Sequence, residues 1–314
     1  MKEQKKEFKT TIGGQAILEG IVMKGPRKSC TVVRKPDQEL EIREIDTVLL
    51  KEKNPIWGLP IIRGAASMFI AMKEGMEAIN FSAQFIEDES QAEPSKFEKW
   101  LEKKVGSKKL EEVIFAGALF VGIMIPVLLF ILLPTLLAGF LPDTWSNLAL
   151  NLVEGVVRIT IFLLFMFIIS KTPDIHRTFR YHGAEHKTIF CYEKGLDLTV
   201  ENVRPQPRQH PRCGTSFLFV VMIISILMFS VVTWTSPVLR MVIRLALLPV
   251  VVGVSYEFNR YVGKIDNGLT RVLRAPGLWL QKLTVFEPDD SMIEVAIEAL
   301  KRVIPEKAGE DQWQ

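Results

Sequence analysis

The four histidines of the chain, His176, His182, His186 and His210, all fall in the segment 171–215, together with Cys213. His182 and His186 are four residues apart. On a helix that spacing puts both imidazoles on one face, one turn from each other, where they can hold a single ion. Glu185 lies between them, so HGAEH fits the H-x-x-E-H pattern in which two histidines bind zinc and the glutamate is the general base. A five-residue match is weak by itself. Its bland alternative is a pair of imidazoles hydrogen-bonded to backbone. His176 would point about 120° away from His182 on the same helix and is not expected to be a ligand.

The segment continues as VRPQPRQHPRCGTSF, where three prolines favour an extended return path that delivers His210 and Cys213 to the same membrane face. Cys213, just before the next apolar run, suits a thiolate ligand or a nucleophile. The expected metal ligands are therefore His182, His186, His210 and Cys213, with Glu185 as the catalytic base. Mixed nitrogen and sulfur donors favour zinc among divalent metals. HPRCG also reads as a tight turn at a membrane boundary, and Glu257 is a further carboxylate that could serve as ligand, acid or plain interfacial charge.

These residues need elements to carry them. TPDIHRTFRYHGAEHKTIFCYEKG predicts a helix of about five turns, with Thr172 as cap, Pro173 in the first turn and Gly195 at the end. On either side lie apolar runs. Of 314 residues, 48% are hydrophobic, more than a soluble core of this size normally holds. A bilayer crossing takes roughly 20 apolar residues, and four stretches qualify: 113–141, 148–169, 216–234 and 238–256. Pro126 and Pro134 should kink the first. Glu154 and Arg158, four apart in the second, can pair on one face, as a packing device or as part of a polar path.

Lysine and arginine mark cytoplasmic loops. They cluster at Lys96–Lys109, in the histidine loop and after the fourth span, and are absent from PDTWSN between spans one and two. The expectation is a multi-pass protein of the bacterial inner membrane with both termini and the histidine loop in the cytoplasm. Arg240 and Arg244 are discordant, and long side chains there can snorkel or face the bundle interior. The basic start MKEQKKEFKT, followed by glycines, does not read as a signal peptide. Cys30, Cys191 and Cys213, widely spaced, fit a reducing compartment. A net charge of +3 is too small to argue for nucleic acid.

The fold class expected is a mainly α membrane protein: a four-helix transmembrane core with a small cytoplasmic α+β portion. Residues 1–112 form the amino-terminal region, 113–256 the membrane domain including the loop 171–215, and 257–314 the tail. TVVRK and ELEIREI flank Pro36-Asp37 as a hairpin. Apolar residues at helical spacing from Trp57 to Phe85 predict an amphipathic helix, lying on the membrane or under the β unit. Residues 87–112 read as a linker or exposed helix. PDDSMIEVAIEALKRVI predicts a final helix with a Ser291/Glu294 capping box and an apolar face that must dock. The polar tail after Pro305 is expected to be disordered.

GGQAILEGIVMKGP, RYHGAEHKTI, HPRCGTSF and PGLWLQKL, in that order and across nearly the whole chain, resemble the YqhQ-like family of bacterial integral membrane proteins of unknown function. The resemblance implies a metal-dependent enzyme. It supports a metal role for His182, His186, His210 and Cys213 and a base role for Glu185, and supplies no substrate. LTVFEPDD departs from the family pattern at Val285 and Phe286 and is assigned no site role.

Two classes of function follow. One is a membrane-embedded, metal-dependent hydrolase acting on a lipid, a lipid-linked molecule or a peptide at the cytoplasmic surface. The other is a noncatalytic scaffold or assembly factor in which metal or hydrogen bonds staple the loop to the bundle. A transporter, resting on Glu154/Arg158 and the kinked first span, is weaker. The sequence does not fix the oligomeric state.

Overall fold

Two hairpins, the first bracketed by glycines, run into one another to make the sheet of the computed structural model, which describes residues 8–48, 52, 54–85, 117, 120–122, 124–142, 144–230, 237–307 and 309–312. Its strands, β1 (Gly13–Ile17), β2 (Gly20–Lys24), β3 (Lys28–Arg34) and β4 (Leu40–Asp46), pair antiparallel in chain order. GGQAILEGIVMK is the first hairpin, with Ile17 opposite Gly20 across Leu18-Glu19. The second hairpin turns at Pro36-Asp37 as expected, with Arg34 opposite Leu40. Side chains alternate across a strand, so both faces of β2 and β3 are used. Ile21, Met23, Cys30 and Val32 enter one core, and Val22 and Val33 enter another with Ile17 and Ala78.

The second of these cores is covered by helix α1 (Ile62–Ala83), whose Phe81 packs on it together with Phe85 just beyond the helix end. The other half of α1 lies along an apolar helix: a side chain on Gly64 would collide with Tyr256 and the backbone of Gly253. The helix thus lies under the β unit at one end and on an apolar helix at the other.

On the opposite side of the sheet sit α4 (Pro173–Glu193) and α8 (Asp290–Val303). The face of α8 expected to dock, Met292, Val295, Ala296, Ala299, Leu300 and Val303, is buried against β2, β3 and α4. Its cap is Asp289, not the expected Ser291. Asp289 has extended backbone and accepts the Met292 N–H at 3.1 Å, while the Ser291 hydroxyl bonds the same carboxylate oxygen at 2.6 Å. The tail also departs from expectation at residues 309–312. Asp311 is buried, takes hydrogen bonds from Thr10 (2.6 Å) and Tyr192 (3.0 Å), and Gln312 bridges to Thr10.

The chain divides into two compact units, residues 1–86 with 166–314, and residues 87–165. The second holds α2 (Phe120–Ala138) and most of α3 (Asn147–Ile169). Between Pro126 and Pro134, α2 widens into a π turn at Leu128–Leu132, the local adjustment expected around missing backbone donors. Glu154 accepts hydrogen bonds from Arg158 (2.7 Å) and Thr135 (3.1 Å), so the predicted i,i+4 pair is buried and made. The first unit holds the apolar helices α5 (Gly214–Ser230) and α6 (Pro237–Lys264) and, after them, α7 (Gly268–Thr284).

Among the described residues, three helices, Phe120–Ala138, Ala149–Ile169 and Val242–Lys264, are long and apolar enough to cross a membrane. Val156 and Ile168 are about two-thirds exposed, 63% and 65%, and such apolar surface calls for a nonaqueous neighbour. The third expected span, 216–234, is described as far as Ser230, within the 17-residue α5. Its expected end at 231–234, the linker 87–112 and most of 113–119 lie outside the described residues.

Candidate metal centre

Helix α4 carries the site. Thr172 has extended backbone, Pro173 occupies the first turn, and the helix stops before Gly195, whose φ is 66°. His182 and His186 stand one turn apart on it, ring centroids 4.4 Å from each other. Gly183, between them, lets the helix press on the strand-like segment after α7, because a Cβ there would run into the Phe286 carbonyl.

Each imidazole is held through Nδ1 by a backbone carbonyl. His182 Nδ1 is 3.0 Å from the oxygen of Thr284, and His186 Nδ1 is 2.5 Å from that of Arg208. A carbonyl only accepts, so both rings must carry their proton on Nδ1. Both Nε2 lone pairs are thereby left available, the arrangement that second-shell partners impose on metal-binding histidines. The thiol of Cys213 stands beside them: His182 Nε2 is 3.1 Å from its Sγ, and one donor atom from each of His182, His186 and Cys213 lies within 4.8 Å of the others. The Thr215 N–H and hydroxyl, at the start of α5, lie 3.4 and 3.1 Å from that sulfur.

Glu185 enters from the same turn of α4. Its Oε1 accepts the N–H of Gly14 on β1 at 3.0 Å. Its Oε2 is buried with no hydrogen-bond partner and lies 3.9 Å from His182 Nε2. Burial pushes this carboxyl up, and His182 and the Gly14 N–H offset only part of that. A buried orphan oxygen costs free energy unless something else meets it. Two imidazole nitrogens and a thiol thus form a group that could hold a metal ion, and this carboxylate lies beside it.

His210 stands beside the three without pointing its lone pair among them. Its ring centroid is 5.5 Å from that of His186, but its Nε2 is 3.1 Å from an Arg212 guanidinium nitrogen and 3.7 Å from Glu193. Burial pushes the imidazole down to about 4. Gln281 of α7, fully buried, fixes its backbone by accepting from the His210 N–H and donating to its carbonyl, each at 2.8 Å. His176 stacks on Phe286 with centroids 4.3 Å apart, away from the site, as the helical angle predicts. Glu257 is ion-paired to Arg63 of α1 and takes no part.

Three contributors escaped the sequence reading: Gly14, Arg208 and Thr284. The last belongs to LTVFEPDD, to which no site role was assigned. Arg208 and Thr284 act through backbone carbonyls, which residue type does not reveal. Gly14 had a signal in the Gly13-Gly14 pair, since a Cβ there would lie 2.6 Å from the Val22 carbonyl and 3.1 Å from the Glu185 carboxyl carbon.

The family model described as "Protein of unknown function (DUF1385)" matches residues 59–306. The uncharacterized protein YqhQ of Bacillus subtilis (strain 168) is 34% identical over 310 residues, covering 96% of this chain and 95% of the relative. No solved structure matches. The histidine helix, the return segment and all of α7 fall inside the matched region, so the chain that builds this centre belongs to the DUF1385 family, whose function is unknown.

Proposed function

We propose that this protein is a metal-dependent hydrolase of the cytoplasmic membrane surface, with His182, His186 and Cys213 as metal ligands and Glu185 as the general base. One observation carries the reading: both imidazoles give Nδ1 to backbone carbonyls, one donor atom from each lies within 4.8 Å of the Cys213 thiol, and the unpartnered Glu185 Oε2 lies 3.9 Å from His182 Nε2. Three protein donors suit a catalytic site, because a structural zinc site is closed by four. His210 positions the return segment from beside the ligands. A bound zinc ion supplies Lewis-acid polarisation of the substrate and a more acidic water. Glu185 Oε2 takes the proton of the attacking water and can return it to the leaving group, while Gly14 holds the other carboxylate oxygen still. A general base contributes about 10²–10⁴-fold to rate.

A four-span membrane core is part of this reading. The helices of the first, second and fourth expected spans have the length to cross, and the sequence of the third, 216–234, is apolar over a comparable length. The lysine and arginine distribution sets the histidine loop and both termini in the cytoplasm. In intact cells a membrane-impermeant thiol reagent is expected to label a cysteine introduced at Asn147, and not one at Lys104 or Lys194. The reverse pattern ends this topology.

The catalytic claim is tested by elemental analysis and turnover together. The purified protein is expected to hold about one zinc per chain, lost in His182→Ala/His186→Ala. Glu185→Gln is expected to keep the metal and lose 10²–10⁴-fold in hydrolysis of lipid ester, phosphoester or peptide substrates. Well-folded protein that binds no divalent metal sinks the site, and full activity in Glu185→Gln sinks the hydrolase.

The 3.1 Å His182–Cys213 contact favours one second reading, a thiolate–imidazole dyad with Cys213 as nucleophile. That enzyme would keep its activity in chelator and lose it on alkylation. It gives no role to the Nε2 of His186 or to the orphan oxygen of Glu185, which is why the metal reading is preferred.

A further inference from the structure

A cleft of about 590 Å³ opens beside the metal centre, and its charge is one-sided. Arg208, Arg271, Arg274 and Lys282 line it, against a single lining carboxylate, Asp266. Asp266 pairs with Arg271 (3.2 Å) and Arg274 (2.7 Å), and Arg208 lies 4.0 Å from Glu287, which does not line the cleft, so the walls keep an excess of positive charge that includes Lys282. Pro211 and Leu278 add apolar wall. Such a site fits a group with concentrated negative charge and an apolar attachment.

Helix α7 forms one side of this cleft and shows three faces. Thr270, Gly277, Gln281 and Thr284 are buried against the protein. Arg271, Arg274 and Lys282 face the cleft. The third face is apolar and uncovered: Leu269, Val272 and Trp279 are 67%, 69% and 53% exposed. A helix with one apolar and one basic face lies in a membrane surface, and tryptophan favours that depth. Continuity gives the same answer. The membrane-length segment of α6 ends at Lys264, and α7 begins at Gly268, its first turn closed by a capping box from Asn267.

We infer that α7 lies in the surface of the bilayer and that the basic cleft beside it binds the phosphate headgroup of an anionic phospholipid. The inference rests on the membrane reading and not on hydrolysis. It has a consequence for the centre nonetheless. Arg208, which lines the cleft, also supplies the carbonyl that orients His186, so a headgroup in the cleft sits against one wall of the metal site.

The test uses the full chain in detergent, exposed to equal amounts of phosphatidylglycerol and phosphatidylcholine of the same acyl chains, with bound lipid counted by native mass spectrometry. Phosphatidylglycerol is expected to be retained about tenfold or more over phosphatidylcholine. Each basic side chain near an anionic headgroup is worth about fivefold in affinity, so Arg271→Gln/Lys282→Gln should lower that retention more than tenfold. Both residues are exposed, and the Arg271–Asp266 pair is a surface one of little weight in stability. The charge-preserving pair Arg271→Lys/Lys282→Arg should keep the preference. Equal retention of the two lipids, or an unchanged preference in the glutamine variant, overturns the proposal. Displacement of phosphatidylglycerol by equimolar inorganic phosphate also overturns it, as a free-anion site. His182→Ala/His186→Ala should lose metal and retain the lipid preference, which separates failure of the hydrolase from failure of the lipid site.

Discussion

Glu185 and Glu193 sit two turns apart on the same helix, both buried, and their surroundings differ in one respect. Glu193 is supplied with partners. It pairs with Arg212, accepts the Thr10 N–H at 2.7 Å and lies 3.7 Å from His210. Burial alone would raise its carboxyl; His210, Arg212 and Thr10 outweigh that and hold it below the usual range. Glu185 receives one backbone N–H and keeps an oxygen with no partner, and burial prevails. Similar exposure with unequal compensation separates a carboxylate that holds the fold from one that keeps an unpartnered oxygen. The first fastens the amino-terminal segment to the end of α4, and the second faces the donor atoms of the candidate centre.

The comparison breaks most sharply at Glu193. Removing it takes the Glu193 anion from the Arg212 side chain, only 10% exposed, and the acceptor from the Thr10 N–H. Breaking a buried pair from one side costs about 3–5 kcal/mol. Glu193→Ala is therefore expected to lower the denaturation midpoint steeply, with the segment around Thr10 opening first in hydrogen exchange. Glu185→Gln, which keeps an acceptor for Gly14 and removes a poorly compensated charge, should change stability by less than about 1 kcal/mol. Similar losses at the two sites would mean that Glu185 is an ordinary structural carboxylate.

The sequence made one side of this contrast visible. The spacing of His182 and His186, the place of Glu185 between them and the exclusion of His176 all follow from helical geometry, and the apolar faces of α8 and the β3–β4 hairpin follow from periodicity. The partners do not. Gly14 reaches Glu185 across 171 residues of chain, and Thr284 reaches His182 across 102. Both act through the backbone, which every residue possesses, so no pattern of residue types marks them. His210 was legible as a neighbour of the site but not in the direction of its ring, because Arg212 and Glu193 decide that and neither belongs to a recognisable motif. Helix α1 was readable as amphipathic while its two coverings, sheet at one end and apolar helix at the other, depended on tertiary packing.

The smallest expected effect lies at the glycine pair and isolates what Gly14 does for Glu185. A Cβ on Gly14 would lie 2.6 Å from the Val22 carbonyl, 3.0 Å from the Met23 sulfur and 3.1 Å from the Glu185 carboxyl carbon, whereas a Cβ on Gly13 meets nothing within 4 Å. The two positions thus share a strand and differ in crowding. Gly14→Ala must shift β1 against β2 or push the carboxylate aside, an overpacking cost of about 1–3 kcal/mol. Gly13→Ala should be neutral or stabilise by about 0.4–1 kcal/mol through the unfolded chain. If Gly14 fixes the general base, its alanine variant should also lose turnover while retaining zinc, since none of the three ligands touches it. Thermal denaturation and metal content measured on both variants decide the matter. Equal behaviour of the two alanines would show that the β1 contact leaves Glu185 where it is, and its position would then have to come from α4 alone.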